Sequence, residues 1–157
     1  MITSVWTRPG ESNPQAADVR KAVFQEEMGW SNEQDRDFMD AYSYQLALLL
    51  NDIPVASGRL AYGGPGKAKL DRICVLKKYR RQGIGDGLVK VLDYKAACIG
   101  MERSMVEAPA ELRRFFERIG FRVTGEAADG NEVAVISMEK ETNDGTVKNC
   151  SHQCACP

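Results

Sequence analysis

The sequence is short of residues and patterns that several protein classes require. It has one histidine, His152, close to its C-terminal end, and a Ser-His-Asp or Cys-His hydrolase site would have to be built around that residue. No stretch approaches the roughly eighteen apolar residues of a membrane span, and the opening residues MITSVWTRPG lack the apolar core of a secretion signal. We therefore set hydrolases aside and expect a cytoplasmic protein with no membrane partner.

The chain also lacks an excess of charge of either sign. Its 21 Lys and Arg residues nearly balance its 22 Asp and Glu residues, which gives a formal net charge of -1. Proteins that coat nucleic acid carry strongly basic surfaces, so no nucleic-acid partner is expected.

Cysteine is too sparse and too unevenly placed for a disulfide framework spread over a domain. Cys74 and Cys98 stand alone in apolar runs, where cysteine usually packs as a small hydrophobe, and both are predicted to be buried.

The other cysteines lie in a polar tail, residues 142–157, which we expect to be flexible beside a single domain over residues 1–141. Cys150, His152, Cys154 and Cys156 are soft ligands of a kind that zinc accepts. Their spacing is too cramped for easy tetrahedral closure by one peptide, so no metal site is predicted. A metal- or redox-responsive protein acting through this tail remains an open alternative.

Hydrophobic periodicity indicates one α/β domain in this chain of 157 residues. In chain order, the first predicted elements are a strand in ITSVWT, a helix after Pro14 with Val19, Val23 and Phe24 inward, and a short helix capped by Ser31 or Asn32. Three meandering strands follow, namely YQLALLL, VASGRLAY after the turn NDIP, and AKLDRICVL. The remaining elements are a helix from Gly85 with Leu88, Val91 and Leu92 in the core and Gly100 at its end, a strand RSMVEA, a helix from Pro109 to Gly120, and a closing hairpin of FRVTGE with NEVAVISME.

Three glycines fall within YRRQGIGDGL, residues 79–88, where a helix should begin. Glycine inside a helix costs about 1 kcal/mol relative to alanine. A glycine-rich turn between a strand and a helix binds phosphate, because the first helical N–H groups lack partners and carry the positive end of the dipole. Neither the P-loop pattern nor the dinucleotide fingerprint fits, so a nucleotide-like or CoA-like ligand is indicated.

This loop carries the R-x-x-G-x-G pattern from Arg80 to Gly85, which resembles that of the GNAT superfamily of acyl-CoA-dependent N-acyltransferases. The stretches VRKAVFQEEMGW, YQLALLLNDIPVASGRL and LRRFFERIGF resemble the same family in the same order, from about Asp18 to Lys140. The resemblance implies a mixed, mostly antiparallel sheet of six or seven strands, flanked by about four helices and splayed between its two central strands.

The resemblance also implies where acetyl-CoA, the acyl donor, would bind. Its pyrophosphate would sit on the backbone of Arg81 to Asp86, and its pantetheine amides would pair with the end of the preceding strand. The residues implied to contact the donor are Ile73, Cys74, Val75, Arg80, Arg81, Gln82, Gly83, Ile84, Gly85 and Asp86.

Amide formation needs a neutral amine, so a carboxylate near the thioester is expected to accept its proton. Asp71 matches a position where some relatives carry a catalytic acid, although pairing with Lys69 or Arg72 is an equal alternative. Glu26 and Glu27 resemble glutamates that line the acceptor pocket in some relatives, and as a helix pair they would otherwise be solvated. The fourth candidate, Glu107, ends a strand and has a helix N-terminal role as its alternative.

The proton donor that the family pattern usually supplies is missing from this sequence. Relatives usually carry a tyrosine that protonates the departing thiolate, and here that position is Phe116. We predict slower chemistry or a substitute donor, Tyr79 or Tyr94, both of which are otherwise packing residues.

The sequence thus predicts N-acetyl transfer from acetyl-CoA to a primary amine by direct attack in a ternary complex. A non-catalytic acyl-CoA binding or sensing module is the alternative. The stretch from Glu26 to Asp40 contains six acidic residues and one basic residue, Arg36. This excess of negative charge suits a cationic small-molecule or peptide amine as the acceptor, and a solvated acidic face is the other interpretation. The resemblance implies a homodimer.

Overall fold

The computed structural model describes residues 1–128 and 134–142. The cysteine-rich tail and the turn of the closing hairpin, for which predictions were made above, lie outside these residues. Within them, no helix is long and apolar enough to cross a membrane. The elements are β1 (Ile2–Thr7), α1 (Pro14–Arg20, continued by a π-helical segment Lys21–Glu27), α2 (Asn32–Asp35), β2 (Tyr44–Leu50), β3 (Ile53–Tyr62), β4 (Lys67–Val75), α3 (Ile84–Cys98), β5 (Arg103–Pro109), α4 (Arg113–Ile119), β6 (Arg122–Ala128) and β7 (Ala134–Glu141).

Seven strands form one sheet in the order β1-β2-β3-β4-β5-β7-β6. Strand β1 pairs antiparallel with β2, β2 with β3, β5 with β7 and β6 with β7, whereas β4 and β5 pair in parallel. The parallel pairing joins Lys67–Lys69 to Arg103–Met105 only, although β4 continues to Val75. The predicted mixed sheet of six or seven strands with about four helices is therefore confirmed.

The described residues form two compact units, the first made of residues 1–61 and 70–92 and the second of residues 62–69, 93–128 and 134–142. In the first unit, α1 begins at Pro14 because the side chain of Asn13 accepts a hydrogen bond from the Ala16 N–H at 3.0 Å. The apolar residues of α1 and its extension, Val19, Val23 and Phe24, are buried as predicted, in a cluster that also contains Cys74 of β4.

The first-unit part of α3, residues 84–92, packs on the sheet through Leu88, Val89 and Leu92, which are fully buried. A Cβ at Gly58 of β3 would lie 2.7 Å from Leu92 Cδ1, so a larger residue there would force the Leu92 side chain to shift. The prediction that Val91 belongs to the core is wrong, because Val91 is half-buried and Val89 takes the inward position.

Two local predictions need correction. The turn between β2 and β3 contains only Asn51 and Asp52, with φ of +49° and +67°, and the strand restarts at Ile53. Two consecutive positive φ values are typical of a two-residue hairpin turn, which asparagine and aspartate tolerate. Cys98 is half-buried rather than buried, because it is the last residue of α3.

In the second unit, β5 and β7 pair over seven residues and place Val106, Ala108, Ile136 and Met138 in the core. Gly120 ends α4 in the left-handed conformation, with φ +114°, as predicted from its place after the apolar pattern.

Candidate active site

The glycine-rich loop connects β4 to α3 within the first unit. A short 3-10 turn at Lys77–Tyr79 precedes it, and α3 begins at Ile84. Arg81 and Gly83 adopt positive φ values of +63° and +80°, and the Gly87 N–H closes the first helical turn on the Gly83 carbonyl at 3.1 Å. Apart from the flanking residues and the backbone of α3 itself, no atom of the described residues lies within 4 Å of where a Cβ would stand on Gly83 or Gly87. The start of α3 therefore offers N–H groups next to open space, which fits an anion of phosphate size.

Arg80 does not point its charge into that space. Its guanidinium binds both carboxylate oxygens of Glu27 at 2.7 Å, and its Nε donates to the Val75 carbonyl at 2.9 Å. The hydrogen bonds from Arg80 lower the pKa of Glu27. Arg80 thus attaches the loop to the π-helical segment, and the exposed side chains of Arg81 and Gln82 are the polar groups left at the loop's surface.

The backbone of β4, which we call the donor strand because its end is predicted to bind acetyl-CoA, is irregular at Arg72. Arg72 has φ of +49°, which is rare for a residue other than glycine. In a regular strand, residues three apart point to opposite faces. Asp71 binds Arg59 while Cys74 packs on Val19 of α1, so an extra residue has been inserted between them. The bulge brings Asp71 and Cys74 to the α1 side of the sheet.

Asp71 belongs to a buried cluster of charges, which we call the arginine–aspartate cluster. Arg59, 2% exposed, occupies its centre and binds Asp71 at 2.7 Å through both Nε and Nη2. The same guanidinium binds Asp37 at 2.5 and 3.2 Å and Asp40 at 3.1 Å. The cluster comprises the arginines Arg20, Arg59 and Arg72 and the aspartates Asp35, Asp37, Asp40 and Asp71.

Asp40 joins the two deepest arginines of the cluster. Its Oδ1 accepts from Arg20 Nη1 at 2.7 Å and from Arg59 Nη1 at 3.1 Å. Arg20 also binds Asp35 at 2.9 Å, and Gln45 completes the set of bonds by donating to Asp40 at 3.0 Å. These buried groups are hydrogen-bonded to one another, as a buried charge requires.

The arginines of the cluster keep two of its carboxyl groups, those of Asp37 and Asp40, ionised. Burial alone would raise the pKa of Asp37, but the hydrogen bonds and charge of Arg59, with the charge of Arg72, outweigh it and lower that pKa. Burial would also raise the pKa of Asp40, but the hydrogen bonds and charges of Arg20 and Arg59 outweigh burial and lower that pKa. At neutral pH Asp37 and Asp40 therefore carry full negative charges next to Arg59.

The cluster changes the interpretation of the acidic stretch from Glu26 to Asp40. Asp35, Asp37 and Asp40 are committed to internal arginines and Glu27 to Arg80. Glu26 and Glu33, by contrast, are exposed. Only these two glutamates therefore still support the prediction that this stretch attracts a cationic acceptor.

The four predicted carboxylates are thus in different settings. Asp71 is held by Arg59, and not by Lys69 or Arg72, the two partners considered in the sequence analysis. Its side chain is 16% exposed. Glu26 is exposed on the π-helical segment beside the paired Glu27. In the second unit, Glu107 is exposed on β5 and forms an ion pair with Lys69 at 3.3 Å. Of the four, Asp71 alone combines an anchored side chain with a place on the donor strand.

Sequence reasoning missed Arg59 and Arg20 as site residues. One signal was present for Arg59, because it interrupts the apolar run VASGRLAY at a position that faces the interior. A charged residue there must find partners, although the sequence does not say which ones. Arg20 looked like an ordinary helix-surface residue.

A cavity of about 260 Å³ lies next to the cluster, between the loop at Gly10–Asn13 and the residues that precede β2. Arg20, Asp40 and Gln45 form part of its wall. These three side chains already bind one another, so none of them offers the cavity an unsatisfied group.

Cys74 lies on the donor strand, but its thiol is buried and unreactive. The side chain is 6% exposed, and burial raises its pKa to about 12. Since the thiolate is the nucleophilic form, this cysteine is not suited to carry an acyl group. The prediction that Cys74 is a buried packing residue is confirmed.

We expect iodoacetamide to leave Cys74 unmodified in the folded protein at about pH 8, near the ordinary thiol pKa. The same cysteine should be fully alkylated after denaturation, because unfolding removes its burial. Peptide mass spectrometry of the two samples measures this, and rapid alkylation of Cys74 in the folded protein would contradict the burial described here.

Phe116, the residue in place of the usual tyrosine, is buried at 4% exposure in the second unit. Its ring makes edge-to-face contacts with Phe115 and Phe121 at centroid distances of 5.0 and 5.5 Å. Of the substitute donors, Tyr79 is half-buried beside the glycine-rich loop and Tyr94 is 42% exposed on α3.

The sequence profile of the acetyltransferase (GNAT) domain matches residues 12–142. This match covers most of the chain, and the fold and the strand–loop–helix geometry agree with it. The chain belongs to the GNAT acetyltransferase family, as its resemblance indicated.

Individual relatives agree with this assignment. The chain is 31% identical over 129 residues to an assigned acetyltransferase of Bacillus subtilis (strain 168), a match that covers 80% of this chain and 87% of the relative. A crystal structure of an assigned N-acetyltransferase from Lactobacillus plantarum superposes with a TM-score of 0.81 at 27% identity, over 90% and 99% of the two chains. A GNAT family acetyltransferase from Elizabethkingia anophelis, solved with acetyl-CoA bound, shares the fold with a TM-score of 0.70 at 18% identity, over 89% and 97%.

Proposed function

We propose that this chain is an N-acetyltransferase that moves an acetyl group from acetyl-CoA to a primary amine by direct attack in a ternary complex. The observation that carries the proposal is the loop at Arg81–Asp86, where positive φ values and glycines leave open space before the first turn of α3. The family match supplies the ligand class.

The donor would be held by main-chain groups. The N–H groups of Gly83, Ile84, Gly85 and Asp86 would bind the pyrophosphate, with the Arg81 side chain adding charge beside them. The edge of Ile73–Val75 would bind the pantetheine amides as an added strand does. Bound acetyl-CoA supplies an activated acyl group. Arg80 and Glu27 act indirectly in this proposal, because their mutual ion pair holds the loop in place.

Direct transfer is favoured over an acyl-enzyme because the cysteine on the donor strand is buried and protonated at neutral pH. We assign Asp71 as the group that accepts the amine proton, directly or through a water. Arg59 fixes both its oxygens, and each oxygen retains a further lone pair for a donor. Glu27 is the weaker candidate because Arg80 lowers its pKa.

A second candidate function, a non-catalytic acyl-CoA binding module, is favoured by Phe116. A buried phenylalanine has no proton for a departing thiolate. The thiol has an ordinary pKa of about 8.5, however, so water or Tyr79 can take that role at moderate cost.

Calorimetric titration with acetyl-CoA, followed by a thiol-release assay over a panel of amines, tests the proposal. We expect a dissociation constant in the micromolar range, as for typical enzyme substrates, and thiol release that depends on one class of amine. Binding without amine-dependent thiol release would favour the binding module. No binding at all would show that the loop keeps the family's shape without its ligand.

A further inference from the structure

The backbone of Arg72 is held in a conformation that arginine does not favour. A left-handed φ has a free-energy cost for a residue with a Cβ, and Arg72 adopts it within β4 at φ +49°. Unlike Asn51 and Asp52, which have positive φ in a hairpin turn, Arg72 lies inside a strand. Interactions of its side chain must therefore offset this cost.

Those interactions all reach one segment of the first unit, residues 30–37. Arg72 Nε donates to the Asp35 carbonyl at 3.0 Å, and Nη2 donates to the Gln34 carbonyl at 2.9 Å and to Asp37 Oδ2 at 3.0 Å. The guanidinium also lies over the Trp30 ring, 5.3 Å from its centroid, at a distance suited to a cation–π contact.

The carbonyl groups that Arg72 binds belong to the end of α2, a helix of four residues. The last carbonyls of a helix have no partner within it, and a helix this short has little stability of its own. Its start is fixed by a capping box at Ser31 and Gln34, whereas its end depends on arginine side chains. Arg72 therefore supplies a main attachment between α2 and the donor strand.

We propose that Arg72 is a positioning residue that couples residues 30–42 to the donor strand β4. Its backbone forms the bulge that turns Asp71 toward Arg59, and its guanidinium holds the end of α2 and Asp37 against the same strand. The segment also contains Asp40, which binds Arg59, so Arg72 and Arg59 together fix the surroundings of Asp71. The role of Asp71 in this inference rests on the function proposed above, while the coupling itself does not.

Glycine and alanine at this position separate the two contributions. Arg72→Gly keeps the bulge, because glycine accepts a positive φ without strain, but removes the guanidinium. Arg72→Ala removes the guanidinium and retains the strain. Arg36→Ala is the matched control, since Arg36 lies in the same segment, is exposed, and makes no side-chain hydrogen bond to the residues that the structure describes.

Amide hydrogen exchange of the protein without ligand is the decisive measurement. In Arg72→Gly, exchange of the amides in residues 31–42 should rise by at least about 10-fold, with little change in residues 73–76. Arg72→Ala should raise exchange in both segments, and Arg36→Ala in neither. Unchanged exchange of residues 31–42 in Arg72→Gly would overturn the coupling, whether or not acetyl-CoA binds. If Arg72→Gly lost protection throughout the chain, Arg72→Asn, which also tolerates positive φ, would take its place in the same comparison.

Kinetics with an amine that supports thiol release in the assay proposed above add a readout that a merely structural residue would not move. Arg72→Gly should raise KM for the amine by about 10-fold and leave KM for acetyl-CoA within about 3-fold, because the donor-binding edge is retained. Equal loss for both substrates would show that Arg72 supports the fold without positioning the acceptor side.

Discussion

Replacing Arg81 by glutamate and Gly83 by valine in the same chain will reduce the affinity for acetyl-CoA by about 100-fold or more, equivalent to about 2.7 kcal/mol of binding free energy. The valine Cβ would project into the open space in front of α3, where a phosphate is proposed to bind. A β-branched residue is also strained at φ +80°, so the loop would move away from its binding geometry. The glutamate places a negative charge where an anion must approach.

The matched control for this variant is Gly100→Val at the other end of α3. Gly100 has φ of +87° and, like Gly83, nothing within 4 Å of a Cβ, so the substitution imposes a similar backbone strain away from the loop. Calorimetric titration of both variants and the wild type should show weakened binding in the loop variant alone. Similar losses in both variants would mean that helix stability, rather than the phosphate site, determines the affinity.

The parts of this structure that could be predicted from the sequence are those that local chemistry determines. A proline after a capping residue starts α1, Gly120 ends α4, and the alternation of turn residues with apolar runs gives the hairpins. The glycine-rich loop belongs to the same group, because its conformation depends on residues within the loop and at the start of one helix.

The arginine–aspartate cluster could not be predicted, because its members are distant in sequence and are brought together by folding. Arg59 on β3 meets Asp71 on β4 and Asp37 after α2, and no spacing rule links these positions. The acidic stretch looked like a solvent-exposed or acceptor-binding face because its arginine partners lie outside it in sequence.

The bulge at Arg72 was hidden for a related reason. Nothing in LDRICVL marks an inserted residue, since arginine disfavours positive φ. The conformation follows from tertiary contacts to the carbonyls of Gln34 and Asp35, which outweigh the local preference. Asp71 was therefore identified as a candidate, while the side chain that determines its direction was not.

Replacing Arg59 by methionine will lower the free energy of unfolding by about 3–5 kcal/mol at neutral pH, the usual cost of removing one partner from a buried ion pair. Methionine retains much of the packing volume but leaves Asp37, Asp40 and Asp71 without a shared counter-charge. Urea denaturation measures the change. Lys69→Met is the control, because Lys69 forms an exposed ion pair with Glu107 that contributes about 1 kcal/mol or less.

The pH dependence of this loss tests its electrostatic origin. In the wild type, the lowered pKa values of Asp37 and Asp40 contribute stability that is present above their unfolded pKa of about 3.9 and is lost as pH falls through the folded values. Without Arg59, burial and mutual repulsion of the aspartates favour protonation in the folded state, so acid relieves the destabilisation of the variant. The two stability curves should therefore converge as pH falls from about 7 toward about 4. Adding Asp37→Asn and Asp71→Asn to Arg59→Met should recover part of the loss at neutral pH, because neutral amides do not repel. A deficit that is independent of pH and unchanged by these amides would show that Arg59 stabilises the protein through packing of its side chain rather than through its charge.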